Sequence, residues 1–236
     1  MARANISALH DVLNRFILDV GIHTYKDSEI EEAKEHIAAL KEIVGERPVV
    51  IMFDRNYASL EFVDFLEKSG VKYLIRLHNG DYTAERAGMK SDDEEVELAY
   101  TKNRVRKLKK ESPGRAAELE RQQSVRLRIV NTVFDNKVEA SFMTNMREGS
   151  ADDIKELYRK RWSIEQKYHT LKNKLKFESV TGKASIYVKQ DFWAQMMVFN
   201  IVQDLISAIV PVRTLKGAPR KWKYFNKYKC NLKPSF

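Results

Sequence analysis

The sequence predicts an α/β protein, a sheet covered by amphipathic helices, on three observations. Apolar runs and amphipathic helical stretches alternate between Arg15 and Leu77. The central apolar run is continuous rather than alternating, as in a strand covered on both faces. A length of 236 residues, 43% hydrophobic and 32% charged, suits one domain or a core with an inserted subdomain. Wholesale disorder is excluded.

Arg15 to Ile22 (RFILDVGI) is mostly apolar between turn-prone residues and reads as a strand. Ser28 then opens a helix with Glu31 three residues on, as in a capping box. Ile30, Ala33, Ile37, Leu40 and Val44 form its apolar stripe and Gly45 stops it. Pro48 to Phe53 (PVVIMF) is the buried strand, ending abruptly in Asp54. A second helix runs from Ser59 to Lys68 and stops at Gly70, and Val71 to Leu77 is the next strand. From His78 to Gln123 regularity is lost: acidic SDDEEVE is followed by basic KNRVRKLKK, then Pro113 and Gly114. Two strands, Val125 to Phe134 and Lys137 to Met146, follow around the turn Asp135-Asn136. Ser150 caps a long helix with no Gly or Pro through Phe177, and another helix spans Val188 to Val210 before Pro211.

Net charge is +9, and it is segregated: residues 1–100 sum to −8, whereas 101–130, 151–190 and 211–236 sum to +7, +5 and +8. Clustered Lys and Arg suit a polyanion partner, since they release counterions condensed on phosphate backbones; a solvated basic surface is the alternative. Cys230, the single cysteine, excludes an intramolecular disulfide, and no Cys/His cluster has zinc-finger spacing. The setting reads as reducing and cytosolic. The N-terminus lacks the apolar core of a signal peptide, and Trp193 to Val210 is interrupted by Gln195, Asn200, Gln203 and Asp204, so no membrane association is expected.

The chemistry-bearing segment is Tyr158 to Lys172, YRKRWSIEQKYHTLK. With Tyr158 at zero and about 100° per residue, Arg161 falls near 300°, Lys172 near 320°, Glu165 near 340° and His169 near 20°. One stripe thus holds a carboxylate among cations, a phenol and an imidazole. The carboxylate suits a divalent metal and the other groups suit phosphates, which is what phosphodiester chemistry needs. An i,i+4 pairing of Arg161 with Glu165 on a solvated helix is the plainer reading. A second carboxylate, Asp54, ends a buried strand where side chains emerge at the sheet edge, although strand-terminal Asp also serves as a turn or N-cap residue.

Together these residues resemble a family. Tyr158, Arg161, Glu165 and Lys172 reproduce the Y-(2)-R-(3)-E-(6)-K pattern of the bacterial insertion-sequence-four group of DDE transposases. DRNYAS, Asp54 to Ser59, is similar to the segment around that group's second catalytic aspartate. The resemblance covers Ala2 to Ser207 and implies an RNase H-like fold: a mixed sheet flanked by helices with an inserted, mostly β subdomain. It divides the chain into a partial core over 1–78, the insertion over 79–146, C-terminal core helices over 147–210 and a basic tail over 211–236. It implies that Asp54 and Glu165, 111 residues apart, are catalytic acids holding Mg²⁺, with Mn²⁺ able to substitute. Tyr158, Arg161 and Lys172 would bind DNA. The partner implied is double-stranded DNA at transposon ends, in the cytoplasm of a bacterium and associated with the nucleoid when DNA-bound. Transposases commonly act as dimers on paired ends, but no heptad seam here demonstrates one.

One part of the family pattern is absent. The first aspartate belongs on a first strand, whereas RFILDVGI fits the third strand and ARANISALHDVLN the second. Asp11 reads as a turn residue before Asn14 and Asp19 as a side chain on the third strand, so neither is assigned to catalysis. The family's N-terminal region that binds DNA ends is absent as well. The expectation is an N-terminally truncated DDE transposase, inactive alone in metal-dependent cleavage and strand transfer. The alternative is a non-catalytic DNA-binding or inhibitory fragment.

Weaker signals are read alongside. Lys102 to Lys110 suits DNA contact or a solvated loop balanced by SDDEEVE. The tail from Arg213 to Lys233 interleaves Lys with aromatics, suiting stacking on nucleic acid or packing on the domain. Trp193, Met196, Met197, Phe199 and Ile201 read as core residues. His169 is a phosphate or solvent contact rather than a Mg²⁺ ligand.

Overall fold

The computed structural model describes residues 4–24, 26–161 and 184–208. Strand β1 (Ala4–His10) pairs antiparallel with β2 (Ile17–Thr24). Asp11 makes the turn between them: its Oδ1 accepts from the amides of Leu13 and Asn14 at 2.8 and 3.0 Å. Arg15 sits at φ 68, so β2 starts two residues later than the apolar run predicts.

Helix α1 (Glu29–Val44) buries Ala33, Ile37 and Leu40 of its expected stripe, together with Glu32 and His36. Ser28 occupies the N-cap position but its side chain makes no cap bond. The expected capping box does not form; Glu31 instead accepts from Lys34 at 2.7 Å. Strand β3 (Val50–Phe53) ends in a 3₁₀ turn, Arg55–Tyr57. Helix α2 (Leu60–Ser69) is capped by Ser59, whose Oγ accepts from the Phe62 amide at 3.3 Å, and ends at Gly70 in the left-handed conformation. Strand β4 (Lys72–Arg76) runs parallel to β3.

The stretch expected to be irregular contains α3 (Thr83–Ala87), strand β5 (Asp93–Ala99), α4 (Arg106–Glu111) and α5 (Pro113–Gln122). Five of the seven residues of the acidic SDDEEVE run are therefore strand. It forms because β6 (Ser124–Val133) offers Arg126 opposite Glu97 and Arg128 opposite Glu95, and Arg128 also grips Asp93 through two bonds of 2.5 and 2.6 Å. Cross-strand charge pairs offset poor strand propensity, and a charged outer strand resists edge-to-edge aggregation. The β6–β7 hairpin, with β7 at Glu139–Thr144, turns at Asp135-Asn136 as expected.

The larger sheet has the order β3-β4-β7-β6-β5, parallel only between β3 and β4, while β1 and β2 form a two-stranded sheet. Alternate residues of one strand serve opposite faces. Tyr73 and Ile75 join a core with α1, α2 and α5, whereas Leu74 joins one with Phe142, Ile154 and Tyr158. Ile154 and Tyr158 lie on α6, helical over residues 151–161. A third cluster sets Ile17 and Val20 of β2 against Phe192, Met196 and Phe199 of α7 (Ser185–Ala208). Trp193, Met197 and Ile201, expected in the core with them, are exposed among the described residues because they lie off the α7 face that meets β2. No helix among the described residues is long and apolar enough to cross a membrane.

Candidate active site at the tip of β3

Asp54 emerges where β3 gives way to the 3₁₀ turn, with φ −77 and ψ 174. It holds the N-cap position of that turn, yet its side chain makes no cap bond. The carboxylate faces the phenol of Tyr158, whose hydroxyl donates to Asp54 Oδ1 across 3.5 Å, 104 residues away in sequence. The plainer reading of Asp54, a turn cap, thus does not describe its side chain.

Tyr158 is delivered there by packing. Its ring is fully buried and lies 4.7 Å, centroid to centroid, from Phe142 of β7. Burying a side chain of this size is worth about 1.5–3 kcal/mol. That fixes the rotation of α6 about its axis and aims the hydroxyl at β3. Burial pushes the Tyr158 phenol up to about 12, and the Asp54 carboxylate adds to the rise, while Arg161 and Arg76 oppose it. At neutral pH the phenol therefore keeps its proton and donates it. The Arg161 guanidinium lies 5.2 Å from the Tyr158 ring centroid, a cation–π contact, and Arg161 shares with Asp54 the lining of a groove of about 320 Å³.

Asp54, Tyr158 and Arg161 are thus brought together. Glu165, Lys172 and His169 lie outside the described residues, as do the basic tail and Cys230. Arg76 is the member that sequence reasoning missed. In the parallel register Phe53 pairs with Ile75, so the next residue of each strand, Asp54 and Arg76, stands at a neighbouring strand tip. Its only signal was a charge in the apolar run VKYLIRL. Neither alternative aspartate joins the site. Asp11 is occupied by its turn, and Asp19 Oδ2 lies 2.7 Å from His36 Nδ1.

Asp54 offers the hard oxygen donors that Mg²⁺ prefers. Among the described residues no group of three metal-capable side chains gathers, and Glu29 and Glu32 line the same groove as Asp54. What surrounds it is cationic and hydrogen-bonding: two guanidinium groups and a phenol held neutral, suited to a phosphate brought against a carboxylate.

Comparison with known proteins agrees with that chemistry. No curated protein matches the chain. The family model described as the transposase DDE domain matches residues 3–201, which include Asp54 and all four positions of the Tyr-Arg-Glu-Lys pattern. That family implies transposase function on a DNA substrate and is generally dependent on divalent metal, and the observed mixed α/β architecture is compatible with its RNase H-like domain. With most of its length matched, the chain belongs to the transposase DDE domain family.

Proposed function

We propose that this chain is a transposase catalytic region of the insertion-sequence-four group, acting on double-stranded DNA at transposon ends, with Asp54 and Glu165 as its acids. The observation that carries the reading is the Tyr158 hydroxyl at 3.5 Å from the Asp54 carboxylate. It joins the helix of the Tyr-Arg-Glu-Lys pattern to the acid-bearing strand. In this reading residues 79–146 are the segment inserted between that strand and the segment carrying Glu165, joined to β4 through β7.

Asp54 and Glu165 are the residues that would hold Mg²⁺ or Mn²⁺. Bound divalent ions supply activation of water or a DNA 3′-hydroxyl and stabilisation of the leaving oxygen. Tyr158 engages one oxygen of Asp54 and orients the carboxylate. Arg161 and Lys172 grip DNA phosphates beside it, and Arg76 adds positive charge at the same rim. Two copies on paired ends are the expected assembly.

Two acids are fewer than the three the chemistry uses, and Asp11 and Asp19 are committed elsewhere. The chain by itself is therefore proposed to be inactive in strand cleavage. The same fact favours a second reading, a non-catalytic DNA-binding or inhibitory fragment. The deciding assay is cleavage of DNA carrying the element's ends with Mg²⁺ or Mn²⁺. The chain is compared with one extended upstream by an aspartate-bearing strand, each with and without Glu165→Gln. Cleavage by the extended chain alone, abolished by Glu165→Gln, supports the transposase reading. Robust cleavage by the shorter chain overturns the placement of the absent acid, and DNA binding without cleavage in either chain supports the fragment reading.

A further inference from the structure

The groove that Asp54 lines also holds a cluster of reactive side chains that the transposase chemistry does not use. Successive side chains of β1 serve opposite faces. Asn5, Ser7 and Leu9 meet α1, whereas Ile6 and Ala8 meet the α7 cluster. His36 of α1 bridges the β1–β2 ribbon: its Nε2 lies 2.9 Å from Ser7 Oγ and its Nδ1 2.7 Å from Asp19 Oδ2. Asp19 is registered opposite Leu9 and Ser7 opposite Gly21, so the serine and the aspartate are diagonal neighbours on one face, near enough for one imidazole to reach both. The tautomer follows from the partners. A carboxylate only accepts, so Nδ1 carries the proton and Nε2 turns its lone pair to the Ser7 hydroxyl, which donates. His36 is 8% exposed, while Ser7 is half-buried and lines the groove of about 320 Å³ with it. The next acid along α1, Glu32, is held separately: its two oxygens accept from Asn5 Nδ2 at 3.0 and 3.3 Å, and His23 Nδ1 lies 4.0 Å away.

We propose that Ser7, His36 and Asp19 form a nucleophile, base and orienting acid that hydrolyse carboxylic esters bearing a small apolar acyl group. A nucleophile within hydrogen-bond reach of a base that a third group orients is the arrangement acyl transfer uses, whatever the fold or chain order. The groove selects the substrate class. Ala33, Ile37, Ile51 and Phe53 give it apolar walls, and its volume suits a small ligand. Glu32, one turn from His36, opposes an anionic phosphate ester at this point, whereas Arg161 and Arg76 act at Tyr158 beside Asp54. In the first step Ser7 Oγ bonds to the acyl carbon and its proton passes to His36 Nε2. The carbon–oxygen bond to the leaving alkoxide then breaks, and the alkoxide takes that proton and departs as the alcohol. In the second step water attacks the acyl-serine and gives a proton to Nε2; Ser7 Oγ leaves, recovers the proton, and the carboxylic acid is released. The net reaction is ester plus water to acid plus alcohol. Among the described residues β1 pairs only with β2, so alternate amides on its other edge are placed to donate to the tetrahedral oxyanion.

The test uses the full chain in EDTA without DNA, so it stands or falls separately from the transposase reading. A fluorophosphonate probe is added and its adduct mapped by tandem mass spectrometry, and hydrolysis of p-nitrophenyl butyrate is followed in parallel. The expected result is one adduct, on Ser7, and ester turnover that the probe abolishes. Ser7→Ala should lose both, and His36→Gln and Asp19→Asn should each slow labelling by about a hundredfold or more, the share a positioned base supplies. Circular dichroism confirms the fold of each variant, and the wild-type adduct decides the matter even where a variant does not fold. No adduct on Ser7, or one whose rate His36→Gln leaves unchanged, overturns the relay and leaves the three side chains as a buried structural network. Turnover of bis(p-nitrophenyl) phosphate through Ser7 in place of the butyrate overturns the assignment to carboxylic esters.

Discussion

Tyr158 has two separable jobs, and two substitutions pull them apart. Its ring fills the space beside Phe142 at 4.7 Å and is fully buried; its hydroxyl reaches Asp54 at 3.5 Å. Tyr158→Ala removes the ring and should cost about 3–5 kcal/mol, as large-to-small changes of buried aromatics do. Tyr158→Phe keeps the ring and removes one long hydrogen bond, so its cost should lie near the bottom of the ~0.5–1.5 kcal/mol range. pH supplies an internal check. Burial pushes the folded phenol up to about 12 from the ordinary tyrosine value near 10, so below pH 10 both states are neutral and its contribution is complete. As pH rises from 10 toward 12 the unfolded chain sheds this proton first, and the contribution is lost. At one unit above the unfolded pKa the loss approaches about 1.4 kcal/mol, and Tyr158→Phe should not show it. Urea midpoints of the wild type and the Phe variant at pH 8 and pH 11 measure the difference. An identical alkaline drop in both proteins, or a Phe variant destabilised by more than about 3 kcal/mol, would refute the account of Tyr158 as a packed ring with a neutral phenol aimed at Asp54.

Three further outcomes follow from the same structure. Arg128, 8% exposed, holds Asp93 bidentately and also donates to the carbonyls of Met146, Glu148 and Gly149; Arg128→Ala should cost about 2–4 kcal/mol in urea unfolding because it strands those acceptors. Lys68 and Arg115 hold the Glu118 carboxyl at about 2, and Arg159, assisted by Lys155, lowers that of Asp135. Stability present above the ordinary carboxylate pKa should therefore fall as pH drops from about 4.5 toward 2, and Glu118→Gln should flatten that slope in a circular-dichroism titration. DNA affinity should fall linearly with the logarithm of salt, with Arg161→Ala and Lys172→Ala each reducing the slope by about 1 in fluorescence anisotropy without unfolding the chain; a slope unchanged by both would remove them from the phosphate contacts.

Local periodicity was enough to place α1, α2, β3, β4 and the β6–β7 hairpin, because their apolar stripes and runs are properties of a few consecutive residues. It was also enough for the Tyr158–Arg161 spacing, since both lie on α6, where positions keep a fixed angular relation whatever surrounds them. Strand β5 was not legible: four acids in seven residues oppose strand propensity, and only the arginines of β6 across the sheet make them a strand. Arg76 joined the site only through the parallel register of β3 and β4, which sets its strand tip beside Asp54. That Asp54 turns toward Tyr158 instead of capping its own turn was likewise a tertiary decision, made by the packing of Tyr158 on Phe142. The strand order β3-β4-β7-β6-β5 is of the same kind, because pairing between strands distant in sequence is set by which neighbours the whole fold brings alongside and not by either strand's own residues.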